Sequence, residues 1–385
     1  MKRFLFVVPP LVGHVVPTVS VARTLMARGH EVAWVCHPRR IRSLLPDDAE
    51  ILALDDHLSD GVWERLRDRA KAVRGLESFQ FLWQEVLVPL ARGMRAGVAD
   101  AIDRYRPDVM AVDQQAIAGA IAARTAGIPW ATLCTTSAGV VDPLADLPRI
   151  KQWVAEQLAQ LESEAGLPSI PSPDRSPSCV IVFSTEALVG DGHTWPPHFH
   201  FVGPSIQDRP DPTPFPWESL AMCPRVFVSL GTISAEAGAG FYATVVEALR
   251  GLDAQIIIAA PPSVVPHPPP TFLVRERVPQ LALLPRVNAV VCHAGHNTVC
   301  ESLANGLPLV VAPIRDDQPV VAQQVVRAGV GLRVRYGRLS PAVLRDAVVR
   351  VLHEPDFRRA AERVRDSFTA AGGAAAAASA LEKMT

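Results

Sequence analysis

Short runs of continuously apolar, β-branched residues recur along the chain, each followed by a polar or glycine-containing turn and then a helical pattern. In the first half the runs are Arg3 to Val8, Glu31 to Cys36, and a segment from Arg106 that ends in Asp113. In the second half they are Arg225 to Ser229, Gln255 to Ala259, Val287 to Cys292 and Leu309 to Ala312. Runs that are apolar throughout, rather than alternating, belong to strands buried on both faces, as parallel sheets require. Helical patterns lie between them: His14 to about Arg28, closed by Gly29; an amphipathic stretch from Asp56 to Tyr105 with no strand signal; and Lys151 to Ala165. Farther on they are Asn297 to Asn305, with Gly306 as a C′ residue and Pro308 as a stop, then a helix after Gln318 and one opened by Ser340-Pro341. The alanine-rich Ala374 to Ala380 reads as a last helix. Strand and helix in alternation predict an α/β protein, with Arg225 starting a second Rossmann-like half.

Seven prolines between Pro196 and Pro216 change the picture in the middle of the chain, because such segments are extended and stiff. They divide it into an N-terminal domain over residues 1–205, a proline-rich linker over 206–222, a C-terminal domain over 223–365, and a terminal helix within 366–385. At 385 residues there is core enough for two domains. Lys and Arg number 38 against 39 Asp and Glu, a net charge of −1, so nothing in the charge argues for a nucleic-acid partner. Six cysteines without a C-x-x-C pair read as buried free thiols of a reducing compartment. Pro9-Pro10 interrupts the apolar start, which reads as a first strand and not a signal peptide, and no run reaches the roughly 18 apolar residues of a membrane span. A cytoplasmic protein is expected, as a monomer or homodimer.

The chemistry concentrates between Arg277 and Gln318. There a strand, the tight turn His293-Ala294-Gly295, a helix, a second strand and Asp316-Asp317-Gln318 place every polar residue at the carboxyl edge, where open α/β sheets bind ligands. The helix N-terminus offers unpaired N–H groups and partial positive charge to a phosphate at Gly295 to Thr298. His293 and Thr298 add side-chain donors. Glu301, three residues past Thr298 on the same helical face, can accept from a pair of sugar hydroxyls. Asn297 and Thr298 could equally cap the helix, and Asp316-Asp317 could be a solvated turn. In the first half His14 follows the first strand, and Asp113 ends another. Taken alone, His14 reads as a loop or capping residue and Asp113 as a helix cap. The dehydrogenase fingerprint G-x-G-x-x-G is absent.

Over about forty residues the second-half stretch resembles the donor-binding signature of family-one UDP-glycosyltransferases, W-x-P-Q, H-C-G-x-N-S, E, G-x-P and D-Q. The corresponding residues are Arg277-Val278-Pro279-Gln280, His293-Ala294-Gly295-His296-Asn297-Thr298, Glu301, Gly306-Leu307-Pro308 and Asp317-Gln318. The resemblance implies the glycosyltransferase B-type fold: two Rossmann-like β/α/β domains facing each other across a cleft, with the last helix crossing back to the first domain. It implies Gln280 near the nucleobase, His293 and Thr298 on the diphosphate, Glu301 on the ribose, and Asp317 and Gln318 on the donor sugar. Arg277 stands where a tryptophan usually stacks on uracil, and a guanidinium plane can also stack. Ser229-Leu230-Gly231-Thr232 is similar to the family's S-x-G-[ST] loop, which implies that Thr232 lies beside the diphosphate. Gly13-His14-Val15-Val16-Pro17 is similar to G-H-x-x-P, whose histidine is the general base, and Asp113 matches the acid that pairs with it.

The reading that follows is an inverting glycosyltransferase moving a glucose-like hexose from a UDP-sugar to a hydroxyl of a small lipophilic natural product. No cofactor beyond the donor and no metal is expected, there being no D-x-D segment. A dTDP-deoxysugar donor is the near alternative. A nucleotide-sugar epimerase and a non-catalytic nucleotide-sugar-binding auxiliary are the others.

Overall fold

The computed structural model describes the chain except residues 56–59, 74, 142–143, 146, 191, 193, 207–210 and 232–237. Residues 207–210 of the expected linker and the candidate Thr232 therefore lie outside the described residues. Two compact units emerge: Met1–Thr185 with His193–Gln207 and Ala371–Thr385, and Glu186–Gly192 with Asp208–Ala370.

In the first unit, β1 (Arg3–Val7), β2 (Glu31–Cys36), β3 (Glu50–Ala53), β4 (Val109–Asp113), β5 (Trp130–Cys134), β6 (Val180–Val182) and β7 (Phe199–Phe201) form a parallel sheet in the order β3-β2-β1-β4-β5-β6-β7. The apolar run of β1 explains itself at this level. Phe4 and Phe6 point into one core and Leu5 and Val7 into another, so both faces of the strand need apolar residues. Parallel neighbours require crossovers, and the helix Val12–Ala27 carries the chain from β1 to β2. The terminal helix Gly373–Glu382 lays Ala374, Ala377, Ala378 and Leu381 into the core shared with Phe4, Phe6 and Trp34. Arg28 and His30 tie it down through Glu382 at 2.6 and 3.0 Å.

The expected helical stretch before β4 resolves into helices Asp60–Ala72, Gly75–Phe81 and Val88–Tyr105, with a π-helical turn at Leu82–Leu87 between the last two. Pro89 has no N–H to give, which favours such a misregister there. Asp108, at the amino end of β4, accepts from the Arg3 backbone at 2.8 Å and plays a structural part.

The second unit repeats the scheme. Strands β8 (Arg225–Ser229), β9 (Gln255–Ala259), β10 (Phe272–Arg275), β11 (Ala289–Cys292), β12 (Leu309–Val311) and β13 (Gly331–Arg333) form a parallel sheet ordered β10-β9-β8-β11-β12-β13. Alternate residues again feed two cores, Val226 and Val228 on one face and Phe227 on the other. The fold is thus two parallel-sheet, Rossmann-like α/β units. The short helix Glu186–Val189 groups with the second unit through Leu188, although it precedes β7 of the first. Among the described residues, no helix is long and apolar enough to cross a membrane. Five of the six cysteines are buried and all are free, and burial raises the thiols of Cys36, Cys134, Cys179 and Cys292 to about 12.

Candidate active site

Each sheet reverses its winding once, and the candidate residues gather at those two points. The chain builds outward from β1 to β3, then returns to place β4 on the other side of β1. Crossovers on either side of such a point leave a crevice at the carboxyl edge of the two central strands. In the first unit the crevice holds His14 and Asp113. Helix Val12–Ala27 starts right after the turn that ends β1, so Gly13 and His14 lie in its first turn, with the His14 backbone N–H on Leu11 at 3.0 Å. Asp113 ends β4, whose Val112 is level with Val7 of β1. Residues 99 apart in sequence therefore meet: His14 Nδ1 lies 2.9 Å from each carboxylate oxygen of Asp113.

Asp113 is wholly buried, so its charge must be met by donors. Besides His14, the Gln115 backbone N–H donates to Oδ1 at 2.8 Å, and the Thr135 hydroxyl donates to Oδ2 at 2.7 Å. Asp113 does not cap the following helix, Ile117–Ala126, whose N-cap is Ala116; the acid makes a turn and faces the imidazole. Thr135, directly after β5, also sits 2.8 Å from His14 Nδ1. Sequence reading passed it over. Its signal is its place just past the strand beside β4, where Leu133 is level with Asp113.

The second unit's crevice lies between β8 and β11, where Ser229 is level with Cys292. Past β11, Ala294 adopts a left-handed φ of 66°, a turn that few non-glycine residues make, and it aims His293 back across the sheet edge. The imidazole is held between two glycines. A Cβ on Gly231 would come 2.6 Å from its Cε1, and one on Gly295 would come 2.5 Å from its Nε2. Burial lowers the His293 pKa to about 4 against the opposing pull of Asp317 and the Ser229 backbone, so the ring is neutral near pH 7. Its buried Nδ1 has no hydrogen-bond partner among the described residues.

Gly295 is the N-cap of helix His296–Leu303 and supplies no side chain, so the first N–H groups of that helix are presented without a side-chain cap. The helix begins one residue before the sequence suggested, and Asn297 and Thr298, both half-buried, stand in its first turn. Glu301 is 6% exposed on the next turn, and Gln280 Nε2 donates to its Oε2 at 2.5 Å. Gln280, the first residue of the short helix Gln280–Leu283, is thus brought to the ribose candidate across 21 positions. Arg277 is exposed, while the half-buried Val278 side chain packs on the apolar core.

Past β12, Asp316 takes a left-handed φ of 55° and Asp317 begins helix Gln318–Arg327. The Gln318 side chain is half engaged by its own loop. Its Oε1 accepts from the backbone N–H groups of Ile314 and Arg315 at 2.9 and 3.1 Å, which leaves only its Nε2 as a donor. The side chain therefore shapes the loop that presents Asp317.

Comparison with known proteins agrees with this fold. Residues 12–130 match the glycosyltransferase family 28 N-terminal domain, and residues 243–384 match the C-terminal domain described as erythromycin biosynthesis protein CIII-like. The 4'-demethylrebeccamycin synthase of Lentzea aerocolonigenes is 27% identical, with 96% of each chain covered. An NDP-glycosyltransferase, YjiC, of Bacillus licheniformis is also 27% identical, over 97% of this chain and 95% of that one. The crystal structure of the glycotransferase of kitacinnamycin superposes with a TM-score of 0.81 at 26% identity, covering 100% of this chain and 99% of that one. Two family domains matched in chain order, and relatives aligned over nearly their whole length, lead to one conclusion: the chain belongs to the family-one glycosyltransferases of the two-Rossmann-domain, B-type fold.

Proposed function

We propose that this glycosyltransferase moves a hexose from a UDP-sugar to a hydroxyl of a small lipophilic natural product, with inversion at the anomeric carbon. His14 takes the proton of the acceptor hydroxyl as the oxygen attacks, and Asp113 supports the imidazolium that forms. The observation that carries this reading is the contact between His14 Nδ1 and the buried Asp113 carboxylate at 2.9 Å, which supports Nε2 as the nitrogen that takes the proton. On the donor side, the uncapped N-terminus of helix His296–Leu303, with neutral His293 and Thr298, meets the charge that grows on the departing diphosphate.

Glu301 favours a ribose, since with Oε2 held by Gln280 the two lone pairs of Oε1 can accept from both the 2′- and the 3′-hydroxyl. A dTDP-sugar is the second reading. The Arg277 guanidinium plane can stack on either pyrimidine and so does not separate the two readings. The test is incubation with UDP-glucose or dTDP-glucose and a panel of lipophilic phenols, reading the mass of the acceptor product. His14→Ala is expected to lower turnover by roughly 10²–10⁴-fold while UDP still binds. Undiminished turnover by that variant would defeat the assignment of the base.

A further inference from the structure

We propose that Thr135 is a positioning residue that holds His14 in the tautomer a general base needs; this rests on the reading of His14 as that base. Thr135 Oγ1 lies 2.7 Å from Asp113 Oδ2 and 2.8 Å from His14 Nδ1. A carboxylate only accepts, so the single hydroxyl proton goes to Asp113. The hydroxyl oxygen then turns a lone pair toward the imidazole. Nδ1 now faces three oxygens, two from Asp113 and one from Thr135, and none of them has a hydrogen to give it. The proton of the neutral ring must therefore reside on Nδ1, leaving the Nε2 lone pair for the acceptor hydroxyl.

Asp113 alone would not impose this so firmly. Nδ1 is equidistant from its two oxygens at 2.9 Å, so the distances single out neither oxygen as its acceptor. Gln115 fixes Oδ1 through its backbone, and Thr135 is the side-chain group that fixes Oδ2. Thr135 is 3% exposed, so its hydroxyl cannot turn to water instead. Its placement follows from the sheet, because β5 runs beside β4, ends one residue beyond the level of Asp113, and is followed at once by Thr135.

The test compares Thr135→Val, which keeps the shape and loses the hydroxyl, with Thr135→Ser, which keeps the hydroxyl. Imidazole nitrogens of the full-length chain are observed by NMR after ¹⁵N-histidine labelling, the His14 signals being identified by their loss in His14→Asn. Steady-state kinetics with UDP-glucose and the phenol of highest wild-type turnover run in parallel. Wild type and Thr135→Ser are expected to show the proton on Nδ1, and Thr135→Val a mixture of tautomers. Thr135→Val should lose about 10- to 100-fold in kcat with an unchanged donor KM, the rate equivalent of one hydrogen bond to a charged group. Thr135→Ser should stay near wild type. Thr135→Val with the wild-type nitrogen spectrum, or equal losses in Val and Ser, would overturn the proposal. Should Thr135→Val fail to fold, Thr135→Ala is read by the same spectrum. If His14→Ala keeps its turnover, the base assignment falls, while the nitrogen spectrum still decides what Thr135 does to the ring.

Discussion

Gly295→Ala isolates what the clamp on His293 is worth. At Gly295 the backbone is ordinary, with φ −62° and ψ 132°, so alanine brings no conformational penalty. What it brings is a methyl 2.5 Å from His293 Nε2 and 2.8 Å from Cε1, closer than carbon tolerates. The ring must shift, and the room for it is limited, since a Cβ at Gly231 would likewise come 2.6 Å from its Cε1. Overpacking of this kind costs about 1–3 kcal/mol, and at roughly 2–4 °C per kcal/mol for a domain of 150–250 residues the melting temperature should fall by several degrees. UDP affinity should fall by about 10- to 100-fold if the imidazole gives the diphosphate one charge-assisted hydrogen bond. Calorimetric titration with UDP and thermal unfolding measure the two effects. The double variant Gly295→Ala/His293→Ala sharpens the result. With the ring gone the methyl has nothing to strike, so the pair should match His293→Ala in both assays, a coupling of opposite sign to the single losses. Wild-type UDP affinity and melting in Gly295→Ala would refute the clamp.

Other consequences follow from the same geometry. His293 has its pKa lowered to about 4 by burial, so between that value and the ordinary 6.5 the unfolded chain binds the proton and the folded chain does not. Stability should therefore rise with pH across this window, with about 1–2 kcal/mol missing at pH 5 relative to pH 7; urea unfolding at the two pH values checks it, and His293→Gln should flatten the dependence. Gln280→Leu removes the donor that orients Glu301, so UDP should weaken more than dTDP, and a thermal-shift series with both nucleotides reads the difference. Leu381 is wholly buried where the terminal helix meets the first unit's core, and Leu381→Ala should cost about 2–5 kcal/mol in denaturant unfolding.

What could be read from the chain alone was whatever its neighbours in sequence decide. The anion-binding turn after β11 was legible because strand, turn, helix start and second strand are contiguous, and each has its own local signal. The same holds for β1 with the first turn that bears His14, and for Gly306, whose φ of 64° ends the helix as a C′ glycine does. Strands of three or four residues such as β3, β6, β7, β10 and β13 were not legible. They are too short to show a period, and they exist because a neighbouring strand supplies their hydrogen bonds.

The chemistry of the site was decided by folding. Taken alone, Asp113 reads as a helix cap, and its pairing with His14 is implied by the family resemblance; the return of β4 alongside β1 is what brings it to the imidazole. Thr135 joined them through the pairing of β5 with β4, which no window on the sequence contains. In the second unit, Gly231 and Gly295 close on His293 from two different strand ends, and Gln280 reaches Glu301 from a separate short helix. Gln318 shows the reverse case, its oxygen turned inward by two backbone amides that its position in a motif could not reveal. Sequence fixes torsion and apolar period because these are local energies. Which polar groups are left without water, and must therefore find one another, is fixed only when the strands are laid side by side.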